Sequence, residues 1–131
     1  MKLDRIAVKV FIKAYQKASV RALFSPFQEE RSGKTYIFIV GCYNSGTSVL
    51  KHIIGSHPEV SALVTEGVTL TSGLRRPEDL GWPRMWHMCQ SAVRLDEHSP
   101  LPDPRRVKRD WSLWFDKGKS IYLEKSRYHV F

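Results

Sequence analysis

Residues 36–48 read Tyr36-Ile37-Phe38-Ile39-Val40-Gly41-Cys42-Tyr43-Asn44-Ser45-Gly46-Thr47-Ser48, and two kinds of pattern meet in them. Tyr36 to Val40 is a continuous apolar run of β-branched and aromatic side chains, of strand length. Such a run suits a strand covered on both faces, as in a parallel α/β sheet. It stops at Gly41. From about Ser45 a helical spacing takes over through Val49, Leu50, Ile53 and Ile54, until Gly55 and His57-Pro58 close it. Strand, glycine loop and helix therefore stand in series. Two glycines separated by four residues and followed by hydroxyl side chains have the layout of a phosphate loop. Glycine permits the tight curvature, successive N–H groups point inward, and the helix dipole favours an anion. Glycine at a strand-to-helix turn also serves simply by allowing positive φ, so the flanking elements are what favour the anion site.

Thr47 follows the second glycine, where nucleotide kinases and ATPases place a lysine that reaches the β and γ phosphates. Nor does an apolar strand end in an Asp suited to Mg²⁺. Transfer of a group of lower charge needs less of that machinery, because less negative charge gathers on the oxygens that lysine and metal neutralise. Sulfuryl transfer meets that description.

Working outward, Leu3 to Phe24 has helical composition without Gly or Pro, and Arg5, Lys9, Lys13, Lys17 and Arg21 recur at every fourth position. This makes one basic stripe with Ala7, Phe11, Ala14, Tyr15, Ala18 and Ala22 on the far side. Residues 1–34 hold eight basic and three acidic side chains, a local +5. They are expected to form a basic amphipathic helix, ended by Ser25-Pro26, and a polar linker from Gln28 to Lys34. Such a helix packs by its small apolar face with its lysines in water, or touches anionic lipid or nucleic acid. Downstream, Val60 to Thr65 reads as a second strand, Gly67 to Gly73 as a loop, Arg84 to Leu95 as a helix, and His98 to Pro104 as a loop. Asp103 or Asp110 starts a further helix through Trp111, Trp114 and Phe115, with Gly118 as its end. Ile121-Tyr122-Leu123 opens a third strand.

With 131 residues, 42% hydrophobic and 26% charged, the chain fits one globular unit. Twenty-one Lys and Arg against thirteen Asp and Glu give +8, which calls for an anionic partner. Charge alone does not choose among a small phosphate ester, nucleic acid and lipid. Cys42 and Cys89 form neither a disulfide scaffold nor a C-x-x-C zinc site, so a reducing, cytoplasmic setting is expected. His52, His57, His87, His98 and His129 lack zinc spacing, and no metal is expected. No apolar stretch approaches the about 20 residues of a spanning helix, and Lys9, Lys13 and Lys17 interrupt any signal-peptide core.

Ile37-Phe38-Ile39-Val40-Gly41, then Asn44-Ser45-Gly46-Thr47-Ser48-Val49-Leu50, then Ser56-His57-Pro58-Glu59-Val60 resemble the opening of sulfotransferases that use 3′-phosphoadenosine 5′-phosphosulfate (PAPS). The resemblance continues through Thr65-Glu66-Gly67 and Leu123-Glu124-Lys125-Ser126, covering roughly residues 36 to 128. It implies an α/β, P-loop-like three-layer fold, a parallel sheet flanked by helices, truncated after the third strand. Residues 35–131 would then be the amino-terminal part of a sulfotransferase domain. It also implies that Gly41, Asn44, Ser45, Gly46, Thr47 and Ser48 hold the 5′ end of PAPS without a metal. The acceptor would be a hydroxyl or amine on a small molecule, glycan or lipid, not nucleic acid, with peripheral membrane contact through the N-terminal helix. Glu66, following the second strand where ligands collect in open α/β sheets, would be the general base. Lys125 would lie near the sulfuryl group or the acceptor.

The chain departs from the family at Asn44, usually Lys or Arg, so leaving-group stabilisation falls to the helix terminus, Lys51 or Lys125. Arg127 stands where the related motif often has Pro. The later Arg and Ser that grip the 3′-phosphate are not found in the sequence, which points to a fragment whose nucleotide site is half built. Trp82 and Trp86 offer flat walls for an acceptor, or are simple core. The basic run of Arg105, Arg106, Lys108 and Arg109 reads as a wet helix face or an anion contact. Two other readings stay open: a P-loop nucleotide or small-molecule kinase, and a noncatalytic anion- or membrane-binding module.

Overall fold

A computed structural model describes residues 4–93, 98, 100 and 102–127. The expected helix boundaries at Leu3 and Leu95, and His129, lie outside the described residues. Among the described residues three strands form one parallel sheet: β1 (Thr35–Ile39), β2 (Val60–Ala62) and β3 (Ile121–Lys125), in the order β1-β3-β2. Thr35 to Ile39 pair residue by residue with Ile121 to Lys125, and Val60 to Ala62 with Ile121 to Leu123. Leu63 N still donates to Leu123 O at 3.0 Å, although the strand expected through Thr65 has ended at Ala62. The chain is thus mixed α/β, with helices and a small parallel sheet.

Alternation along the strands sends successive side chains to opposite faces. On one face Ile39, Val60 and Leu123 are buried together, with Ile37 and with Ile54 of helix α3 (Thr47–Gly55) against them. On the other, Tyr122 packs with Leu63, Leu70 and with Val107 and Trp111 of helix α5 (Pro104–Ser112). Phe115 stacks on the Tyr122 ring at a centroid distance of 4.1 Å. The apolar run of β1 is less covered than its composition predicts: Phe38 is 52% and Val40 53% exposed. The reason is position, since among the described residues β1 is an edge strand that pairs with β3 alone.

The helix expected from Leu3 to Phe24 is two helices, α1 (Arg5–Tyr15) and α2 (Ala18–Phe24). No Gly or Pro marks the break, and tertiary contacts hold it. Tyr15 is fully buried, its hydroxyl donating to Asp110 O at 3.0 Å and accepting from Gln28 Nε2 at 2.8 Å. Arg21 then donates to the freed carbonyls of Tyr15 and Gln16 at 3.1 and 2.9 Å. Tyr15 thereby joins the same buried cluster as Trp111 and Tyr122.

The helix expected from Arg84 is instead a tight turn at Trp86–Met88 and a short α4 (Gln90–Val93). Arg84 takes φ 62°, and Met85 and Cys89 are also non-helical, which divides the segment. Of the two candidate caps for α5, Asp103 is the one used: its side chain accepts from Arg105 N at 2.9 Å, and Pro104 opens the helix. Asp110 sits inside α5, where it accepts from Thr71 Oγ1 at 2.6 Å. Among the described residues no helix is long and apolar enough to cross a membrane.

Candidate functional site

Gly41-Cys42-Tyr43-Asn44-Ser45-Gly46 carries the chain from β1 to α3, and its glycines have different tasks. A Cβ on Gly41 would come within 2.7 Å of Thr47 Cγ2 and 2.8 Å of Ser45 Oγ, so the bare backbone lets the loop fold over itself. Gly46 has φ 78° and leads into α3. Asn44 is also left-handed, at φ 59°, a conformation that Asn tolerates better than most residues. Ser45 Oγ donates to Cys42 O at 2.6 Å and ties the loop down.

Among the described residues no side chain caps α3, and its first main-chain bond runs from Leu50 N to Gly46 O at 3.0 Å. The amides of Thr47, Ser48 and Val49 precede that bond and are left without intrahelical acceptors. The same first turn borders an open cavity of about 540 Å³, lined by Asn44, Ser45, Gly46, Thr47, Ser48, Val49, Glu66, Lys125 and Arg127. The cavity lies at the carboxyl ends of the parallel strands, where ligands collect in open α/β sheets.

Three charged side chains face it, and they are joined. Lys125 Nζ and Arg127 Nε each donate to Glu66 Oε1 at 2.7 Å. The side chain of Glu66 is 14% exposed and that of Lys125 8%. Among the described residues no hydrogen bond is made to Glu66 Oε2. Arg127 also lies over the Tyr43 ring, 4.4 Å from its centroid, so the glycine loop and the end of β3 touch through a cation–π contact.

The position of Glu66 is set by its neighbour. Gly67 N donates to the buried Glu124 Oε1 at 2.9 Å, and Gly67 O accepts from Trp111 Nε1 at 2.9 Å. A Cβ on Gly67 would lie 2.6 Å from Trp111 Cζ2, so only glycine lets this chain pass between β3 and α5. Ser126 Oγ donates to the same Glu124 oxygen. Glu66 O in turn accepts from Thr69 N and Thr69 Oγ1 at 3.0 and 2.7 Å.

Lys51, one turn into α3, is half-buried. Burial holds its pKa below the ordinary lysine value, the nearby Lys125 charge pushes the same way, and Glu124 and Glu66 oppose them. Lys51 does not line the cavity but shares its field.

The structure therefore gathers Asn44, Ser45, Gly46, Thr47, Ser48, Glu66 and Lys125 around one cavity, with Gly41 beneath the loop. It leaves other candidates elsewhere. Trp82 and Trp86 do not line the cavity. Arg106 is engaged with Ser72 Oγ at 2.6 Å, and Lys108 lies 5.1 Å from the Tyr36 ring centroid. Cys42 is exposed and Cys89 buried. Among the described residues no group of three His, Cys, Asp or Glu gathers. In the sequence Arg127 stands out only as a departure from the Pro of the related motif, and nothing singles out Tyr43. The signal for Arg127 was its spacing, since residues 125 and 127 at a strand end fall on the same side.

No family model, curated protein or solved structure matches this chain.

Proposed function

We propose that the chain is a PAPS-dependent sulfotransferase of P-loop-like fold, with the 5′-phosphosulfate end of the donor held in the cavity between α3 and the end of β3. The observation that carries this reading is convergence on one cavity: the first turn of α3, two cations and one carboxylate. Orphan amides and a helix dipole suit a compact anion. Lys125 and Arg127 supply the charge that Asn44 does not. The parallel strand order, with the glycine loop at the carboxyl end of β1, supports the P-loop-like reading.

PAPS supplies an activated sulfuryl group, which moves to a hydroxyl or amine of a small-molecule, glycan or lipid acceptor. Glu66 Oε2 takes the acceptor's proton while the acceptor atom bonds to sulfur and the sulfur–oxygen bond to phosphate breaks. The α3 amides, with Lys125 and Arg127, stabilise the charge left on the departing phosphate oxygen. Incubation with ³⁵S-labelled PAPS, without added Mg²⁺, against a panel of alcohols, amines, glycans and lipids tests this. Label transferred to an acceptor supports the reading; neither transfer nor binding of the adenosine 3′,5′-bisphosphate product contradicts it.

A second reading has its own observation. Ile6 and Val10 of α1 are 69% and 64% exposed beside Arg5, Lys9 and Lys13, on the side of the helix away from buried Tyr15. Exposed apolar residues flanked by lysines suit peripheral contact with anionic lipid. Pelleting with phosphatidylserine vesicles tests it: an Ile6→Ser, Val10→Ser double variant should lose the vesicles, and undiminished pelleting would refute it.

A further inference from the structure

Glu66 holds the two cations that line the cavity. Its Oε1 receives both Lys125 Nζ and Arg127 Nε at 2.7 Å, in a cavity whose remaining wall is made by the loop and the first turn of α3. We infer that Glu66 is a built-in stand-in for the ligand: it holds both cations in the absence of an anion and releases them to a phosphate- or sulfate-bearing ligand when one enters. This rests on the reading of the cavity as an anion site and adds a gate to it.

The three charged side chains leave one net positive charge facing the cavity. That is enough to attract an anion but not to match a dianion next to an ionised carboxylate. A dianion held by the α3 amides lies close to Glu66, where like charges in a partly dry site repel strongly. The conflict is relieved when Lys125 and Arg127 turn to the ligand. Partner exchange suits this geometry because both cations sit on one carboxylate oxygen and both side chains are long.

The test uses the whole chain with adenosine 3′,5′-bisphosphate as the probe, read in two ways. Calorimetry compares the wild type with Glu66→Gln, which keeps the shape and removes the competing charge. The variant should bind about tenfold more tightly. In wild-type protein carrying ¹³C-carboxyl glutamate, the Glu66 resonance should move in step with the amides of Gly46, Thr47 and Ser48 as probe is added. This second measurement decides the matter if the variant does not fold. Loop amides that shift while the Glu66 carboxyl stays fixed, or a folded Glu66→Gln that binds no more tightly, would overturn the gate and leave the anion site standing. No shift at either place at millimolar probe would overturn both.

Discussion

Glu66 and Lys125 meet at 2.7 Å across 59 positions of sequence, joining the loop after β2 to the last residue of β3. The meeting depends on β3 lying beside β2 in a parallel sheet, which brings their carboxyl ends to the same edge. It also depends on the alternation that turns Lys125 to the α3 side of the sheet and Glu124 to the α5 side, where Glu124 holds Gly67. Fold and site are therefore coupled through two consecutive residues of β3.

Lys125→Met should weaken binding of adenosine 3′,5′-bisphosphate by about tenfold or more, because one of two cavity cations is lost. It should also lower stability by about 1–3 kcal/mol, short of the full cost of stranding a buried charge, because Glu66 keeps Arg127. Calorimetry and urea denaturation check the two effects. Unchanged affinity would remove Lys125 from the site.

Gly67→Ala should destabilise the chain by about 1–3 kcal/mol, the range for overpacking a filled interior. The new methyl meets the Trp111 ring, and the displaced backbone carries Glu66 with it. A urea midpoint equal to that of the wild type would show that the passage beside Trp111 has room to spare.

Lys51 gives a pH signature. Its pKa is lowered in the fold, by burial first and the Lys125 charge second, from an ordinary value of 10.5. Between the lowered value and 10.5 the unfolded chain binds more protons, so this residue's contribution to stability rises with pH across that window. Lys51→Met should therefore be more stable than the wild type at neutral pH, with the advantage shrinking as pH climbs towards 10.5. Melting temperatures at a series of pH values check this; an advantage independent of pH would assign it to packing.

The strand–loop–helix unit at residues 35–55 was legible because it is written in consecutive residues: an apolar run, two glycines and a helical period. Lys125 was legible as a strand-end residue next to a ligand-collecting edge, whereas Glu66, read as following a strand directly, lies in the loop beyond Ala62. Their ion pair was not, because it follows from the β1-β3-β2 order, and nothing local to either residue encodes a pairing partner 59 positions away. The broken helix at Gln16 and Lys17 escaped for a similar reason. Local propensity there favours continuity, and it is the burial of Tyr15 against α5, with Arg21 closing the freed carbonyls, that overrides it. Exposure of Phe38 and Val40 likewise depends on which strand is the edge, and a five-residue apolar run cannot state that.

The central claim is that the main chain from Gly41 into α3 is shaped to hold a nucleotide's anionic end. It is tested most directly by the thermal shift that adenosine 3′,5′-bisphosphate produces in the wild type and in Gly46→Val. The wild type should melt higher with rising ligand. The variant, in which a β-branched residue must occupy φ 78°, should fold less stably and show no ligand-dependent rise. A wild-type melt unmoved by millimolar ligand, or an equal rise in both proteins, would contradict the account.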